Sequence, residues 1–323
     1  MRVFVIGASA GGRKAVAVAL KTVVNVDNAA FIVVVHGSFD SPSFYPKILS
    51  QKIAMPVVET NNGAEIKAGT VYVSKPNHHL FVHEGKIYLS NGPRENLFRP
   101  SIDVLFRSAA VAYGNCCVGI LLTGRLNDGT AGLEAIKKCG GLAMIQNPAT
   151  AEFSDMPSNA AEIVAIDYTV DLEDMSGVIQ EIMNEKAPER IKLPASVIRE
   201  NSIAIKIGSQ IELEEKLGQQ VPISCSSCGG PLWKIKDSKL NRYRCHVGHA
   251  FTEDALLKSQ NDALEEALWI AMRTLEEKKM LLERVNRDYG KKGVQRLSNS
   301  YSERVGEVKK QINKLRNVLQ IPD

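Results

Sequence analysis

The sequence has no long apolar run and no strong excess of either charge. Its 323 residues include 40 basic and 36 acidic side chains, so no surplus of positive charge points to a nucleic-acid partner. No stretch of about 18 apolar residues is present that could cross a bilayer. The first apolar segment carries Arg2 and ends after Ile6, unlike a signal peptide. We therefore expect no membrane insertion, and a chain long enough for one sizeable domain and smaller modules.

Cysteine is scarce as well, and it is unevenly placed. The six cysteines fall into two groups, Cys116, Cys117 and Cys139 in the first half and Cys225, Cys228 and Cys245 in the second. The adjacent Cys116 and Cys117 lie on an apolar run, where cysteine most simply serves as a small core residue. This usage fits a reducing, cytoplasmic location.

The chain begins with a pattern of strand, turn and helix. Val3–Ile6 is an apolar run typical of a strand buried on both faces. Gly7–Gly12 then turns the chain into Arg13–Leu20, whose alanines and valines favour a helix. Ser9 is thereby placed at the carboxyl end of a first parallel strand, where open α/β sheets bind ligands.

This turn fits two known motifs, beside the interpretation as a plain tight turn. Its first five residues match G-x-S-x-G, which exposes a nucleophilic serine. Gly7, Ser9 and Gly12 also resemble a degraded G-x-G-x-x-G dinucleotide loop. A dinucleotide site needs Asp or Glu near the end of the next strand, and after Phe31–Val35 this chain has His36 instead. An imidazole holds a ribose poorly and accepts a serine proton well, so His36 favours the hydrolase interpretation.

A third buried strand is followed by a carboxylate. Cys117–Leu122 precedes a loop that contains Asp128. Ser9, His36 and Asp128 thus each follow a buried strand, and parallel strands bring their carboxyl ends to one edge of the sheet. Together they would form a triad of nucleophile, base and orienting carboxylate. Each residue taken singly also has an ordinary structural interpretation: Ser9 as a helix cap, His36 as a polar strand end, and Asp128 as part of a turn.

Four segments together resemble the catalytic domain of the chemotaxis protein-glutamate methylesterases, the CheB type. They are Gly7–Gly12, His36, Arg99–Phe106 and Leu122–Gly129, within a similarity over residues 1–185. The resemblance implies a doubly wound α/β fold, an α/β/α sandwich on a mostly parallel sheet, with Ser9, His36 and Asp128 as its triad. The implied substrates are γ-methyl glutamyl esters on cytoplasmic helices of chemoreceptors, and the family also deamidates receptor glutamines.

The chain departs from the family pattern around the expected site. Family members commonly have methionine and glycine where it has Arg125 and Leu126, and often a hydroxyl residue where it has Ala10. The main-chain N–H groups of Ala10 and Arg125 remain candidates for an oxyanion hole, since that role needs no particular side chain. By resemblance to a family segment near the triad, Arg94 and Arg99 would bind acidic groups beside the target glutamate.

Two further expectations concern the catalytic domain. Family members usually carry a receiver domain ahead of the hydrolase; here Met1 directly precedes the first strand, so we expect a receiver-less form. Ser101 is expected to be the N-cap of a helix. Leu142–Ile145 and Ile163–Ile166 are expected to be further strands.

The most specific motif of the chain is a cysteine–histidine pattern. Cys225 and Cys228 form a C-x2-C pair, and Cys245 and His249 follow as C-x3-H, a spacing typical of zinc. His246 is the alternative fourth ligand, although its place next to Cys245 gives it a poor reach. So short a segment cannot bury enough apolar surface to fold alone, so the metal would supply the missing stabilisation. We predict a structural zinc and no cofactor for catalysis.

The chain ends in a predicted helical hairpin, or coiled-coil tail. From Thr252 onward apolar residues step by three and four, and Gly290–Gly293 separates two such segments. Their apolar stripe would pack within the hairpin, against a second copy of the chain or against a receptor bundle; internal packing is the simplest. By resemblance, a subset of receiver-less methylesterases carries such a knuckle and tail.

The predicted organisation has four parts. Residues 1–186 form the catalytic domain, 187–222 a linker, 223–251 a small zinc-ribbon-like module and 252–323 the α-helical hairpin.

We expect a cytoplasmic hydrolase in which Ser9 attacks, His36 carries the proton and Asp128 orients His36 while methanol leaves a receptor ester. One alternative is a scaffold that keeps the fold and acts through its zinc and helical modules; Arg125 in place of methionine slightly favours it. Another is an esterase or amidase whose substrate is not a receptor.

Overall fold

A computed structural model describes residues 1–37, 44–186, 189, 191–205, 215, 217–236 and 238–319. The chain divides into two compact units, Met1–Leu256 and Leu257–Asp323. Among the described residues, no helix has both the length and the apolar character to span a membrane.

The first unit is built on a sheet of seven parallel strands. They are β1 (Arg2–Ala8), β2 (Ala29–Val35), β3 (Val57–Glu59), β5 (Val71–Val73), β8 (Cys117–Leu121), β9 (Leu142–Gln146) and β10 (Tyr168–Val170). Their order across the sheet is β10-β9-β8-β1-β2-β5-β3, and every neighbouring pair runs parallel. The predicted mostly parallel α/β sheet is confirmed.

Helices cover both faces of this sheet, as its apolar central strands require. They are α1 (Gly12–Ala19), α2 (Tyr45–Ser50) and α6 (Met175–Asn184) on one face, and α3 (Ile102–Tyr113), α4 (Thr130–Lys138), α5 (Asp155–Ile163) and α7 (Ala195–Ile205) on the other. Alternate residues of β1 serve the two cores: Phe4 and Ile6 pack with α1, whereas Val3 and Val5 pack with α3.

The strand expected at 163–166 is wrong. Helix α5 continues to Ile163, and the next strand, β10, begins at Tyr168. Val164 is buried, and Ile163 and Ile166 pack on the same core from the helix end and the following loop. These residues are apolar because they pack against the core. A short apolar run does not by itself distinguish a buried helix end from a strand.

Two antiparallel sheets complete the first unit. A three-stranded sheet in the order β4-β7-β6 comprises β4 (Ala64–Glu65), β6 (His79–His83) and β7 (Lys86–Ser90). A four-stranded sheet in chain order comprises β11 (Gly218–Ser224), β12 (Pro231–Ile235), β13 (Arg242–Cys245) and β14 (Ala250–Thr252).

The range predicted to be a linker, residues 187–222, contains a helix and most of a strand in the structure. That range contains α7, whose Val197 is buried in the core of the parallel sheet, and most of β11. Residues 187, 188, 190, 206–214 and 216 of it lie outside the described part. The four-stranded sheet therefore begins before residue 223, and it belongs to the same compact unit as the parallel sheet.

The second unit is formed by two helices. Helix α8 (Glu253–Lys291) starts in the first unit and supplies most of the second, and α9 (Gln295–Val318) follows after a turn with Gly293 at φ 69°. Ion pairs Lys309–Glu283 and Arg316–Glu276 show that the helices run antiparallel. Their buried contacts come from Met272, Leu282, Val305, Val308 and Ile312.

Candidate active site

Ser9, His36 and Asp128 meet at the carboxyl edge of the parallel sheet. They follow β1, β2 and β8, which are neighbours in the order β8-β1-β2. The Nδ1 atom of His36 lies 3.1 Å from Oγ of Ser9, and its Nε2 atom lies 2.9 Å from Oδ2 of Asp128. The structure therefore brings the three predicted residues into one hydrogen-bonded chain.

Two glycines make room for Ser9. Gly11, at the N-cap of α1, has φ 73°, a conformation that residues with a side chain rarely adopt. Gly124 lies directly against the serine: a Cβ added there would stand 2.8 Å from the Cβ of Ser9 and would also meet Sδ of Met156. The Ser9 N–H donates to the Thr123 carbonyl at 3.0 Å. These contacts fix the turn that carries the hydroxyl.

The Asp128 carboxylate is fully buried and surrounded by donors. Besides His36, it accepts hydrogen bonds from the Ile102 N–H at 2.7 Å and from the Ser101 hydroxyl and Asn96 amide, both at 2.9 Å. Burial by itself raises the pKa of the Asp128 carboxyl, but the hydrogen bonds from His36, Asn96 and Ile102 outweigh it and hold the pKa below its ordinary value. Asp128 is therefore an anion, the form that orients an imidazole.

Asp128 also provides the cap of helix α3. Ser101 lies at the predicted N-cap position, but its side chain makes no capping bond, because its hydroxyl donates to Asp128 instead. The Asp128 carboxylate accepts the Ile102 N–H of the first turn. Negative charge is favourable at this end of a helix, where unpaired N–H groups and the helix dipole point outward. The helix thereby contributes to holding Asp128 ionised.

A second buried carboxylate, Asp103, lies beside Asp128. Its Oδ1 accepts the N–H groups of Gly129 and Gly132 at 3.0 and 2.6 Å. Burial, and after it the charge of Asp128, raises the pKa of Asp103 to about 7. The side-chain amide of Asn96 donates to Oδ2 of Asp103 at 2.8 Å and to Oδ1 of Asp128 at 2.9 Å, so it bridges the two carboxyl groups.

The His36 ring is held by stacking as well as by hydrogen bonds. Phe98 lies parallel to it, with ring centroids 3.7 Å apart and an interplanar angle of 11°. Because ionised Asp128 can only accept at Nε2, the neutral ring carries its proton there and turns the Nδ1 lone pair toward Ser9. In the trypsin-like triad the two ring nitrogens have the opposite assignments. The ring can still remove a proton from the serine.

Ser9 and His36 line an open cleft of about 380 Å³. Its other charged residues are Arg13, Lys14 and Glu152. Among the cleft-lining residues that the structure describes, two cations and one anion lie beside Ser9, and a surplus of positive charge favours acidic substrates.

The predicted oxyanion residues flank Ser9: Ala10 follows it directly, and Arg125 follows Gly124, where an added Cβ would stand 2.8 Å from the Cβ of Ser9. Within the described part of the chain, the main-chain N–H groups of Ala10 and Arg125 have no hydrogen-bond partner. The exposed Arg125 side chain places its guanidinium over the Phe153 ring, 4.9 Å from the centroid. Leu126, where the family commonly has glycine, has φ 64°, the left-handed conformation that glycine adopts readily.

The two other predicted binding residues lie on the loop that leads to α3. Arg99 donates from its guanidinium to Oδ1 of Asn77 and to the carbonyls of Asn91 and Gly92. Arg94 is exposed, and its carbonyl accepts the N–H of Ala250 at 3.4 Å. Neither arginine is among the residues lining the Ser9 cleft.

The predicted zinc ligands come together at one end of the four-stranded sheet. The thiol sulfurs of Cys225, Cys228 and Cys245 and a ring nitrogen of His249 all lie within 4.8 Å of one another. The Cys228 and Cys245 sulfurs are 3.7 Å apart, close to the roughly 3.7 Å edge of a tetrahedral site with Zn–S bonds of about 2.3 Å. Three thiols and one imidazole therefore fit zinc. His246 is not part of this cluster among the described residues.

Three residues around the triad escape prediction from the sequence. Asn96 bonds to Asp128, Phe98 stacks on His36, and Asp103 lies beside Asp128. All three belong to a charged loop or to the start of a helix, where the sequence shows no hydrophobic periodicity. The one available signal is the start of α3, where Asp103 is an acidic residue between Ile102 and Val104 in a helix of mainly apolar side chains. Asn96 and Phe98 come into place only through the tertiary fold.

Comparison with known proteins gives consistent matches. The family model described as CheB methylesterase matches residues 4–179. A Leptospira interrogans protein provisionally named protein-glutamate methylesterase/protein-glutamine glutaminase is 41% identical over 170 residues, covering 52% of this chain and 88% of that protein. The protein-glutamate methylesterase FrzG of Myxococcus xanthus is 36% identical over 156 residues, covering 48% and 47%. The crystal structure of the Thermotoga maritima CheB methylesterase catalytic domain superposes with a TM-score of 0.54 at 26% identity, covering 56% of this chain and 98% of that one.

Proposed function

The chain belongs to the CheB methylesterase family and is therefore an enzyme, a methylesterase, and we propose that its reaction is carried out by Ser9, His36 and Asp128. The observation that supports this assignment is the hydrogen-bonded chain from the Ser9 hydroxyl through the His36 ring to the buried Asp128 anion. Residues far apart in sequence share this geometry only because three neighbouring strands end at the same edge.

The proposed first step forms an acyl-enzyme. Oγ of Ser9 attacks the ester carbonyl carbon while Nδ1 of His36 removes the hydroxyl proton. The imidazolium is stabilised by Asp128 through Nε2. When the tetrahedral intermediate collapses, the bond to the methoxy oxygen breaks, and His36 returns the proton so that methanol leaves. The main-chain N–H groups of Ala10 and Arg125, which have no partner among the described residues, are the proposed donors to the oxyanion.

The proposed second step regenerates the enzyme. Water attacks the acyl carbon as His36 takes one of its protons, and the bond to Ser9 breaks as the proton returns to Oγ. The product is a glutamate side chain. A glutamine substrate would follow the same route with ammonia as the leaving group, which gives the deamidase activity contained in the names of relatives.

The proposed substrate is a γ-methyl glutamyl ester on a chemoreceptor helix, in the cytoplasm, as the resemblance implies. The open cleft would admit a side chain presented by a protein surface, and Arg13 and Lys14 would attract acidic residues flanking the ester. We propose these two cations in addition to Arg94 and Arg99, because they line the cleft with Ser9. A cytoplasmic location also agrees with the six cysteines all being free thiols.

We also propose that Cys225, Cys228, Cys245 and His249 bind one zinc ion. Four protein ligands would leave no open position, so the ion would act as a structural cross-link. The helical hairpin buries Met272 and Leu282 of α8 against α9, whereas other apolar residues of α8, among them Leu264, Trp269 and Ile270, are exposed. Association through its exposed residues, with a second chain or a receptor, stays a prediction.

Labelling with a fluorophosphonate tests the catalytic assignment against the scaffold alternative. We expect one adduct per chain, mapped to Ser9 by peptide mass spectrometry and absent from Ser9→Ala. Ser50→Ala, which removes an exposed hydroxyl on α2, should label like the parent protein. Labelling that persists at full rate in Ser9→Ala, or no labelling of the parent, would contradict the proposal.

A further inference from the structure

The loop Arg94–Arg99, here called the clamp loop, lies between the four-stranded sheet and the triad. On the side of the sheet, the Asn96 N–H donates to the Ala250 carbonyl at 2.8 Å. The Thr252 N–H donates to Oδ1 of Asn96 at 2.9 Å. Ala250 and Thr252 are the first and last residues of β14, and β14 directly follows His249. The clamp loop is therefore bonded to the strand that begins one residue after a proposed metal ligand.

On its other side, the clamp loop supports the catalytic carboxylate. The Asn96 side-chain amide uses both of its hydrogens, one to Asp128 and one to Asp103, while its oxygen accepts from Thr252. Asn96 is only 4% exposed, so no solvent is at hand to replace a lost partner. A continuous chain of hydrogen bonds thus runs from β14 through Asn96 and Asp128 to His36 and Ser9.

Further contacts connect the same two regions. The Thr252 hydroxyl donates to Oδ1 of Asn127 at 2.6 Å, and Asn127 directly precedes Asp128. Arg244, the residue before the ligand Cys245, donates to the buried Glu95 carboxylate at 2.8 Å. Glu95 lies beside Asn96 in the clamp loop. The four-stranded sheet therefore holds the clamp loop and the Asp128 loop through several separate hydrogen bonds.

The four-stranded sheet has only a small apolar core to stabilise it. Its buried cluster consists of Cys225, Leu232, Tyr243, Cys245, Phe251, Ala255 and Leu256. Two members of this cluster are proposed metal ligands. Without the metal, the β11–β12 turn and the β13–β14 turn would lose their cross-link, and the position of β14 would be less well defined.

We propose that the metal-binding module positions the catalytic triad: an ion held by Cys225, Cys228, Cys245 and His249 fixes β14, and β14 fixes Asp128 through Asn96. Asn96 and Thr252 are positioning residues in this scheme, because they act on His36 only through Asp128. The ion does not touch the reacting atoms. This inference rests on the proposed hydrolase function where it is tested by Ser9 labelling. The effect of zinc on the His36 hydrogen bond can be measured whether or not the protein is a hydrolase.

The first test removes the metal from the full-length protein. Zinc content is measured by elemental analysis before and after treatment with a chelator, folding is followed by far-ultraviolet circular dichroism, and Ser9 labelling by fluorophosphonate is timed. We expect labelling to slow by at least about tenfold, and to recover when zinc is added back. Cys228→Ser should behave like the chelated protein, and Cys116→Ser, outside the cluster, like the parent. Zinc-free protein that is folded and labels at the parent rate would overturn the proposal.

The second test asks whether the effect passes through Asn96. Asn96→Ala leaves all four ligands in place, so it should retain zinc but label slowly. Removing zinc from this variant should then slow labelling little further, because residues in one network show non-additive effects. Asn28→Ala, at an exposed position of the same unit, is the matched control. Independent losses that multiply would show that the metal does not act through Asn96.

The third readout does not depend on catalysis. The Nε2 proton of His36, hydrogen-bonded to the Asp128 anion, should give a downfield proton resonance in the zinc-loaded protein, assigned by its loss in His36→Gln. Removal of zinc should shift or abolish this resonance. A resonance that responds to zinc in a protein that releases no methanol would refute the proposed function and support the positioning role. A resonance indifferent to zinc would refute the positioning role.

Discussion

Asp103 is a buried carboxyl group next to Asp128, the proposed catalytic anion, and the charges of Arg107 and Arg242 lower its pKa less than burial and Asp128 raise it. Its bonding partners are the N–H groups of Gly129 and Gly132 and the amide of Asn96. Burial and the charge of Asp128 raise the pKa of Asp103 to about 7. In the folded protein, protonation of Asp103 therefore removes a like-charge repulsion next to the triad.

A raised pKa makes stability depend on pH in a defined direction. The folded protein holds the Asp103 proton between about pH 4, the ordinary carboxyl pKa, and pH 7, whereas the unfolded chain has released it. The stabilisation is complete below this window and is lost as the pH rises through it, at up to about 1.4 kcal/mol per pH unit. Urea unfolding of the parent and Asp103→Asn across pH 5 to 8 measures the difference. A difference in unfolding free energy that does not change with pH would contradict the assignment.

Asp128 is predicted to be the most sensitive carboxylate for catalysis. In Asp128→Asn the amide cannot stabilise the imidazolium and can favour the wrong ring tautomer. By analogy with the serine proteases, kcat should fall by about 10⁴-fold. Ester hydrolysis should be compared with Asp27→Asn, which changes an exposed carboxylate before the amino end of β2, the opposite end of that strand from His36. Activity of Asp128→Asn within a few-fold of the parent would exclude a role for Asp128 as the orienting group.

Leu126 carries backbone strain that glycine would relieve. Its φ of 64° is costly for a residue with a Cβ. Leu126→Gly should therefore gain on the order of 0.5–1 kcal/mol of unfolding free energy after the added flexibility of the unfolded chain is subtracted. Leu126→Ala is the matched control, because it shortens the side chain and keeps the strain. If the alanine variant were as stable as the glycine variant, strain would not be the cause.

At the level of residues, the proximity of Ser9, His36 and Asp128 could be predicted because each of them follows an apolar strand; their catalytic role stays a prediction. Asn96 and Phe98 could not be predicted, because the clamp loop has no repeating pattern and its position depends on β14, about 150 residues later in the chain. The sequence also could not reveal that Asp128 caps α3, since Ser101 is itself a favoured capping residue.

At the level of elements, a buried ionic network joins helices and strands. Arg107 of α3, Glu200 of α7, Arg242 and Arg244 of β13 and Glu95 of the clamp loop are all shielded from solvent. Burial opposes ionisation of Glu200, but Arg242 and Arg107 outweigh it and lower its pKa. The network contains three cations and two anions, so the loss of one anion leaves two arginines short of partners.

Glu200→Gln is therefore expected to destabilise the first unit by about 3–5 kcal/mol, the usual effect of breaking a buried ion pair. Glu185→Gln is a suitable comparison, because Glu185 pairs with Arg2 while its side chain is 53% exposed; a partly exposed pair contributes about 1 kcal/mol or less. Equal losses in the two variants, measured by urea unfolding, would contradict the importance of burial.

The predictability of the elements follows their burial pattern. Strands β1, β2 and β8 are continuous apolar runs and could be predicted, and they are the three that carry the triad. The segment 163–166 is also apolar, but it forms the end of α5 and the following loop, which pack against the core. Helix α7 and strand β11 lie in a range of mixed charge that resembles a linker, and they are ordered by contacts with the rest of the unit.

At the level of the whole molecule, one compact unit contains both the proposed active site and the proposed metal site. The sequence predicts them as separate modules because their motifs lie about 100 residues apart and each has its own chemistry. The hydrogen bonds of the clamp loop and the ionic network are tertiary contacts, which no local pattern encodes. The second unit, a helical hairpin with its own buried cluster, could be predicted from its period of three and four.

Release of methanol from a methylated chemoreceptor is the decisive measurement for the proposed hydrolytic triad. We expect steady methanol release by the full-length protein and a loss of at least about 10³-fold in Ser9→Ala. Equal release by the parent protein and Ser9→Ala would contradict it.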